Sequence, residues 1–290
     1  MRSIDQNIET ISRNLSAAVV PQSTFRIPQL GDLAGFNIRT TLKNASGETI
    51  VANTSIAQML DRIQIRDVNG IVVLNVTGRQ LVRIANQLSA VGDNVFAPAT
   101  PAGTGLQQYA RTMPLSIAMD DLPAFVDITW AAKTALYSTT SGETAVSLAM
   151  RGSFTRKADR VAPVRTVRIK ASTPPPQAGD NSLGEYLPKG EVVEKLLLLP
   201  NDAGANPLAD GDISSVRLSQ RGFNLIDGAS PATRFIPDDV EYRRDGHNDG
   251  EINFRIPIFE ATEATQINVN LGTLAHYDLV TASRQKQRRG

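Results

Sequence analysis

Residues 59–88 change their hydrophobic period twice, and few folds accept that pattern. Arg62, Gln64 and Arg66 alternate with Ile63 and Ile65, the two-residue period of a strand with one buried face. Asn69-Gly70 follows, a dipeptide that tolerates the positive φ angles of a tight hairpin turn. Ile71–Val76 returns as a second strand, apolar nearly throughout and so expected to be covered on both faces. At Thr77 the period becomes helical: Thr77 and Gln80 fit a capping box, and Leu81, Ile84, Ala85 and Leu88 share one stripe. Strand, hairpin, strand and short helix make a scaffold, with no catalytic residue type placed in it.

The rest of the chain extends the strand reading. Ser23–Ile27, Phe36–Leu42, Met113–Met119, Ala124–Ala131 and Thr144–Phe154 read as strands. Turn signals at Asn44–Gly47, Asp120-Asp121 and Ser141-Gly142 separate them, and residues 89–110 read as loop. Turns that recur about every dozen residues, with little helix, predict an antiparallel sandwich or barrel.

The charged run Arg156–Arg165 reads as a linker, after which the pattern starts again. Thr166–Ala171, Glu191–Leu199, Ile213–Leu218, Asn224–Ile226, Asn253–Phe259 and Gln266–Leu271 read as strands, and Thr173-Pro174-Pro175-Pro176 opens a stiff, extended loop. Ile213–Ile226 repeats the strand–turn–strand of the first half. Asn253–Phe259 falls about 140 residues after Met113–Met119, with a proline in each (Pro114, Pro257), too long a period for a solenoid. Gln266–Leu271 alternates as the last strand of the first half does. Two similar domains in tandem are expected.

The two ends differ from this plan. Residues 3–16 predict an amphipathic helix, with Ser3 and Gln6 as a capping box, Asp5 and Glu9 near its start and Arg13 near its end. Ile4, Ile8, Ile11 and Leu15 form its apolar stripe, to pack on its own domain or a neighbour, or to lie on a membrane surface. Ser283–Gly290 carries Arg284, Lys286, Arg288 and Arg289 and no acid. It reads either as a solvated end or as a polybasic segment contacting anionic lipid or nucleic acid. The expected division is 1–18 helix, 19–160 first domain, 161–280 second domain and 281–290 basic tail.

Composition excludes several chemistries. The 290 residues suffice for two domains of about 100–150 each. A formal charge of +1 supplies no global field for nucleic acid, and no specific nucleic-acid recognition is expected. The absence of cysteine removes thiol catalysis, disulfides and thiolate metal sites. Only His247 and His276 could serve a serine nucleophile as base, and no G-x-S-x-G elbow accompanies them. Gly103-Thr104-Gly105 lacks the third glycine, the lysine and the following helix of a phosphate loop. Asp245–Glu251 is rich in oxygen ligands but departs from the calcium-loop pattern at His247 and Ile256, leaving a solvated turn or a structural cation site. Asp120-Asp121 and Asp238-Asp239 read as turn chemistry rather than a glycosidase pair.

Aromatics are 5% of residues and Trp130 is the sole tryptophan, which argues against a sugar-stacking face or a single-strand platform. The apolar run Leu196–Leu199 is far short of the roughly 20 residues a spanning helix needs. Asp5 and Glu9 interrupt any secretory core, so a soluble chain made in the cytoplasm is expected. No enzymatic activity, cofactor or metal is predicted.

The first half carries a family resemblance. Ser23-Thr24-Phe25-Arg26-Ile27-Pro28, then Ala57-Gln58-Met59-Leu60 leading into Ile63-Gln64-Ile65-Arg66, Asn69-Gly70 and the helix Gly78–Asn86 resemble the double jelly-roll major capsid proteins of tailless, membrane-containing icosahedral bacteriophages, of corticovirus and autolykivirus type. The resemblance covers residues 20–90; the second half agrees in strand pattern. It implies an all-β chain of two tandem jelly rolls with an N-terminal amphipathic helix and short helices in loops. It also implies a homotrimeric, pseudo-hexameric capsomer in the virion, tiling a shell over an internal membrane beside other capsid and vertex proteins. Ile4, Ile8, Ile11, Leu15, Arg284, Lys286, Arg288 and Arg289 would then face lipid or a neighbouring subunit. A single-jelly-roll or minor capsid protein, and a carbohydrate-binding β-sandwich, are the alternative readings.

Overall fold

The computed structural model describes residues 3–15, 22–43, 59–88, 108–115, 124–132, 144–156, 166–201, 205–226, 252–254 and 258–285. The chain divides into two compact units, Met1–Thr166 and Val167–Gly290.

Unit 1 holds β1 (Ser3–Leu15), β2 (Gln22–Ile27), β3 (Asp32–Lys43), β4 (Leu60–Asp67), β5 (Val72–Val76), helix α1 (Gly78–Leu88), β6 (Gln108–Leu115), β7 (Ala124–Trp130) and β8 (Thr144–Thr155). They form two antiparallel sheets, β1-β8-β3-β6 and β2-β7-β4-β5. Among the described strands only the β4–β5 hairpin stays within one sheet; every other connection crosses to the opposing one.

The period-two pattern explains the core. Register places Phe25, Val126, Ile65 and Leu74 in one cross-strand row and Ser23, Ile128, Ile63 and Val76 in the next, all of them buried. Each such aliphatic side chain stabilises by roughly 1.5–3 kcal/mol when buried. Ser23 is tolerated there because its hydroxyl accepts from the indole Nε1 of fully buried Trp130, at 3.5 Å. The opposing sheet contributes buried Leu33, Ile38, Leu148, Met150 and Phe154.

Unit 2 holds β9 (Arg168–Ser172), β10 (Gly179–Ser182), β11 (Glu191–Pro200), β12 (Ile213–Gln220), β13 (Phe223–Ile226), β14 (Ile252–Phe254), β15 (Phe259–Glu260), β16 (Thr265–Leu271) and β17 (Tyr277–Gln285). Its sheets are β14-β11-β17-β9, with β15 also on β11, and β10-β16-β12-β13. With β14 and β15 standing for β6, the strand interleaving of unit 1 is reproduced. Val193, Leu196, Leu198, Val216, Leu218 and Ile267 belong to its buried core. The chain is a double jelly roll, and the described residues are nearly all strand or connection, apart from α1, a helical Met59 and short 3-10 turns at Gly184–Tyr186 and Asp210–Asp212.

Several expectations need correction. Residues 3–16 are not a helix: Ser3–Leu15 is strand β1, paired along β8 from Ser3↔Thr155 to Leu15↔Thr144. A bulge between Asn7 and Glu9 shifts the register by one residue, so Ile4 pairs with Phe154 while Ile11 pairs with Leu148. Two parities joined by a bulge reproduce the spacing of a helical stripe, and the available edge of β8 decides between them. At the other end, β17 runs to Gln285, so residues 281–285 are strand rather than tail. β10 lies in the stretch expected to be loop, held through its backbone to β16. Gln266–Leu271 is β16, the counterpart of β7, and β17 is the counterpart of β8.

The helix start is as expected. Thr77 N–H donates to Gln80 Oε1 at 3.0 Å and Gln80 N–H to Thr77 Oγ1 at 3.2 Å, the reciprocal pair of a capping box. Leu81, Val82 and Ile84 are buried. The β4–β5 connection is Val68, Asn69, Gly70 and Ile71, with Gly70 alone at positive φ (78°). Asp67 organises it: its carboxylate accepts from the N–H of Asn69 (2.9 Å) and of Ile71 (2.8 Å).

Candidate assembly surface

No group of three or more metal-ligating side chains occurs among the described residues, and no described helix is long and apolar enough to cross a membrane. His276 acts through its backbone, which bonds Asn201, Asn206 and Leu208 and ties two connections together at one end of unit 2. His247, Asp245–Glu251, Asp120-Asp121, Asp238-Asp239 and Gly103–Gly105 lie outside the described residues. What the described surface offers is therefore a set of faces, edges and hairpin tips.

The expected contact residues fall on both units. Ile8 and Ile11 are half-buried on β1, and Ile4 and Leu15 occupy register positions opposite Phe154 and Thr144, all in unit 1. Ile8 leans over Gly152 of β8, where there is no room for a side chain. Arg284 belongs to unit 2, where its Nε lies 2.8 Å from the Glu194 carboxylate. Lys286, Arg288 and Arg289 lie outside the described residues.

Three ion pairs mark the described surface. On the outer face of the β2-β7-β4-β5 sheet, Asp127 accepts from Arg66 Nε and from Thr24 Oγ1, each at 2.7 Å. The Arg66 hydrogen bond, aided by Thr24 and by the nearby arginine charges, holds the Asp127 carboxyl below its usual range against partial burial. The same guanidinium stands 5.5 Å from the Phe125 ring centre. In unit 2 Arg168 pairs with Glu191 at 2.8 Å, and Ser283 donates to the second oxygen of that carboxylate.

The antiparallel registers define two ends for each unit. In unit 1 one end gathers the start of β1, the end of β8, the β2–β3 connection and the β4–β5 hairpin. In unit 2 the matching end gathers the start of β9, the end of β17, the β10–β11 connection and the β12–β13 hairpin. In unit 1 the exposed large apolar side chains, Leu30, Val68, Ile71 and Val72, stand at this end; in unit 2 Phe223, which is 75% exposed, stands at it, while Leu274 lies in the β16–β17 connection at the opposite end and Ile258 precedes β15. Sequence reading missed these positions, because a lone apolar residue beside a turn carries no signal of its exposure.

No protein-family profile matches the chain, and no curated protein is significantly similar to it. Solved structures do match its fold. The major capsid protein of Sulfolobus Turreted Icosahedral Virus superposes with a TM-score of 0.67 at 13% identity, over 98% of this chain and 96% of that one. A subunit of the PBCV-1 virus capsid gives 0.61 at 9% identity, over 98% and 94%. The major capsid protein P2 from Bacteriophage PM2 gives 0.58 at 9% identity, over the whole of both chains. These neighbours are double jelly-roll major capsid proteins, and the match spans both units.

Proposed function

We propose that the chain is a major capsid protein, whose homotrimer is a capsomer of pseudo-hexameric outline in an icosahedral shell over an internal membrane. The observation that carries this reading is the duplication: one strand interleaving occurs in both units, and the likeness to capsid proteins extends over 98% or more of the chain. A chain with two like units has six like units in its trimer, and six approximate a hexagon that tiles a surface. The near-neutral charge of +1 lets many copies pack without mutual repulsion. Its partners are other copies of itself, further capsid and vertex proteins and the lipid beneath, and its place is the virion.

Light scattering on the purified chain tests the reading. A mass near three times 31.3 kDa is expected. A monomer at every concentration, with no lattice formed on concentrating, overturns it.

A further inference from the structure

The β12–β13 hairpin closes with Arg221 and Gly222, both at positive φ (50° and 81°), the signature of a type I′ turn whose twist matches its strands. The tip carries Phe223, the most exposed large apolar side chain among the described residues, flanked by exposed Arg221, Gly222 and Asn224. A single ring among polar neighbours is no flat apolar patch of the kind protein partners cover. An aromatic ring beside a basic side chain suits instead the boundary where acyl chains meet headgroups.

Two further observations point the same way. The last described residue of β17, Gln285, stands at the same end of unit 2, paired with Glu191. The residues that follow it include Lys286, Arg288 and Arg289 and no acid, a charge that complements an anionic surface. The topologically equivalent hairpin of unit 1 also exposes apolar side chains at its tip, Val68 and Ile71.

We propose that the Arg221-Gly222-Phe223 tip is a lipid-contacting finger that seats Phe223 at the headgroup boundary of an anionic phospholipid bilayer. This deepens, and rests on, the reading of a shell over a membrane.

The test uses the full chain with vesicles of phosphatidylglycerol and phosphatidylethanolamine, compared with vesicles of phosphatidylcholine alone. In Phe223→Trp, emission beyond that of buried Trp130 should shift to the blue and be quenched by brominated acyl chains in the anionic vesicles. Phe223→Ser should weaken vesicle binding about tenfold, the loss expected for part of an aromatic side chain's burial, while the mass by light scattering stays that of wild type. An unshifted, unquenched tryptophan overturns the finger. So does a Phe223→Ser chain that loses its oligomeric state, which would assign the ring to a contact between copies. A monomeric wild type defeats the capsomer reading separately, and quenching at position 223 still decides the finger.

Discussion

Tyr277 is 1% exposed, and its hydroxyl has no hydrogen-bond partner among the described residues. Burial first, and nearby Tyr186 second, push its pKa up to about 12. The unfolded chain releases this proton near pH 10, while the folded chain still holds it. Stability contributed here is therefore complete below about pH 10 and falls as pH rises from there toward 12. Tyr277→Phe should raise stability by about 1 kcal/mol at neutral pH, because it removes a buried polar group with no partner among the described residues. It should also flatten the alkaline limb; urea melts from pH 7 upward read both, and a loss of stability at neutral pH would show a bonded hydroxyl. Trp130 contrasts with it, since Ser23 answers its N–H. A core serine in an otherwise alternating strand is legible in the sequence, but its partner, 107 residues away, is not.

At the level of elements, the bulge in β1 carries the main lesson. The spacing of Ile4, Ile8, Ile11 and Leu15 fits a helix and a bulged strand equally, and only the edge of β8 separates the two. Gly152 is what lets the bulged strand close. A β carbon there would stand 2.7 Å from the Phe154 ring and 2.9 Å from Ile8 and Leu33 side-chain carbons. Gly152→Ala should cost about 1–3 kcal/mol through overpacking, and it should speed amide exchange along β1. Denaturant melts with hydrogen exchange check this, and unchanged exchange in β1 would mean that Ile8 does not hold the strand. Strands β10 and β17 escaped sequence reading for opposite reasons. Gly179–Ser182 has no apolar residue to alternate and is held by backbone pairing, whereas Tyr277–Ser283 is buried on both faces, which erases the alternation.

For the whole molecule, a near-neutral charge gives copies little mutual repulsion to overcome. Net charge is +1. If the proposed capsomer is held by shape and apolar contact, it should survive about 1 M salt, where the Debye length falls to about 3 Å. Sedimentation velocity across a salt series reads this; dissociation at high salt would mean that charge pairs join the copies.

The sequence alone determined what depends on neighbours along the chain. Alternation placed β4 and β7, Thr77 and Gln80 placed the start of α1, and the recurrence of strand–turn–strand announced two like units. These are short-range preferences, readable in a window of a few residues. For the expected contact set, the sequence named the residues and the structure supplied their settings: Ile8 and Ile11 are half-buried strand residues and Arg284 is matched by Glu194. Tertiary structure decided that residues 3–15 are strand, that β17 exists, and which hairpin residues stand in the open. Each depends on an edge, a covering layer or an empty space supplied by residues far away in the chain, and no local pattern encodes a partner that distant.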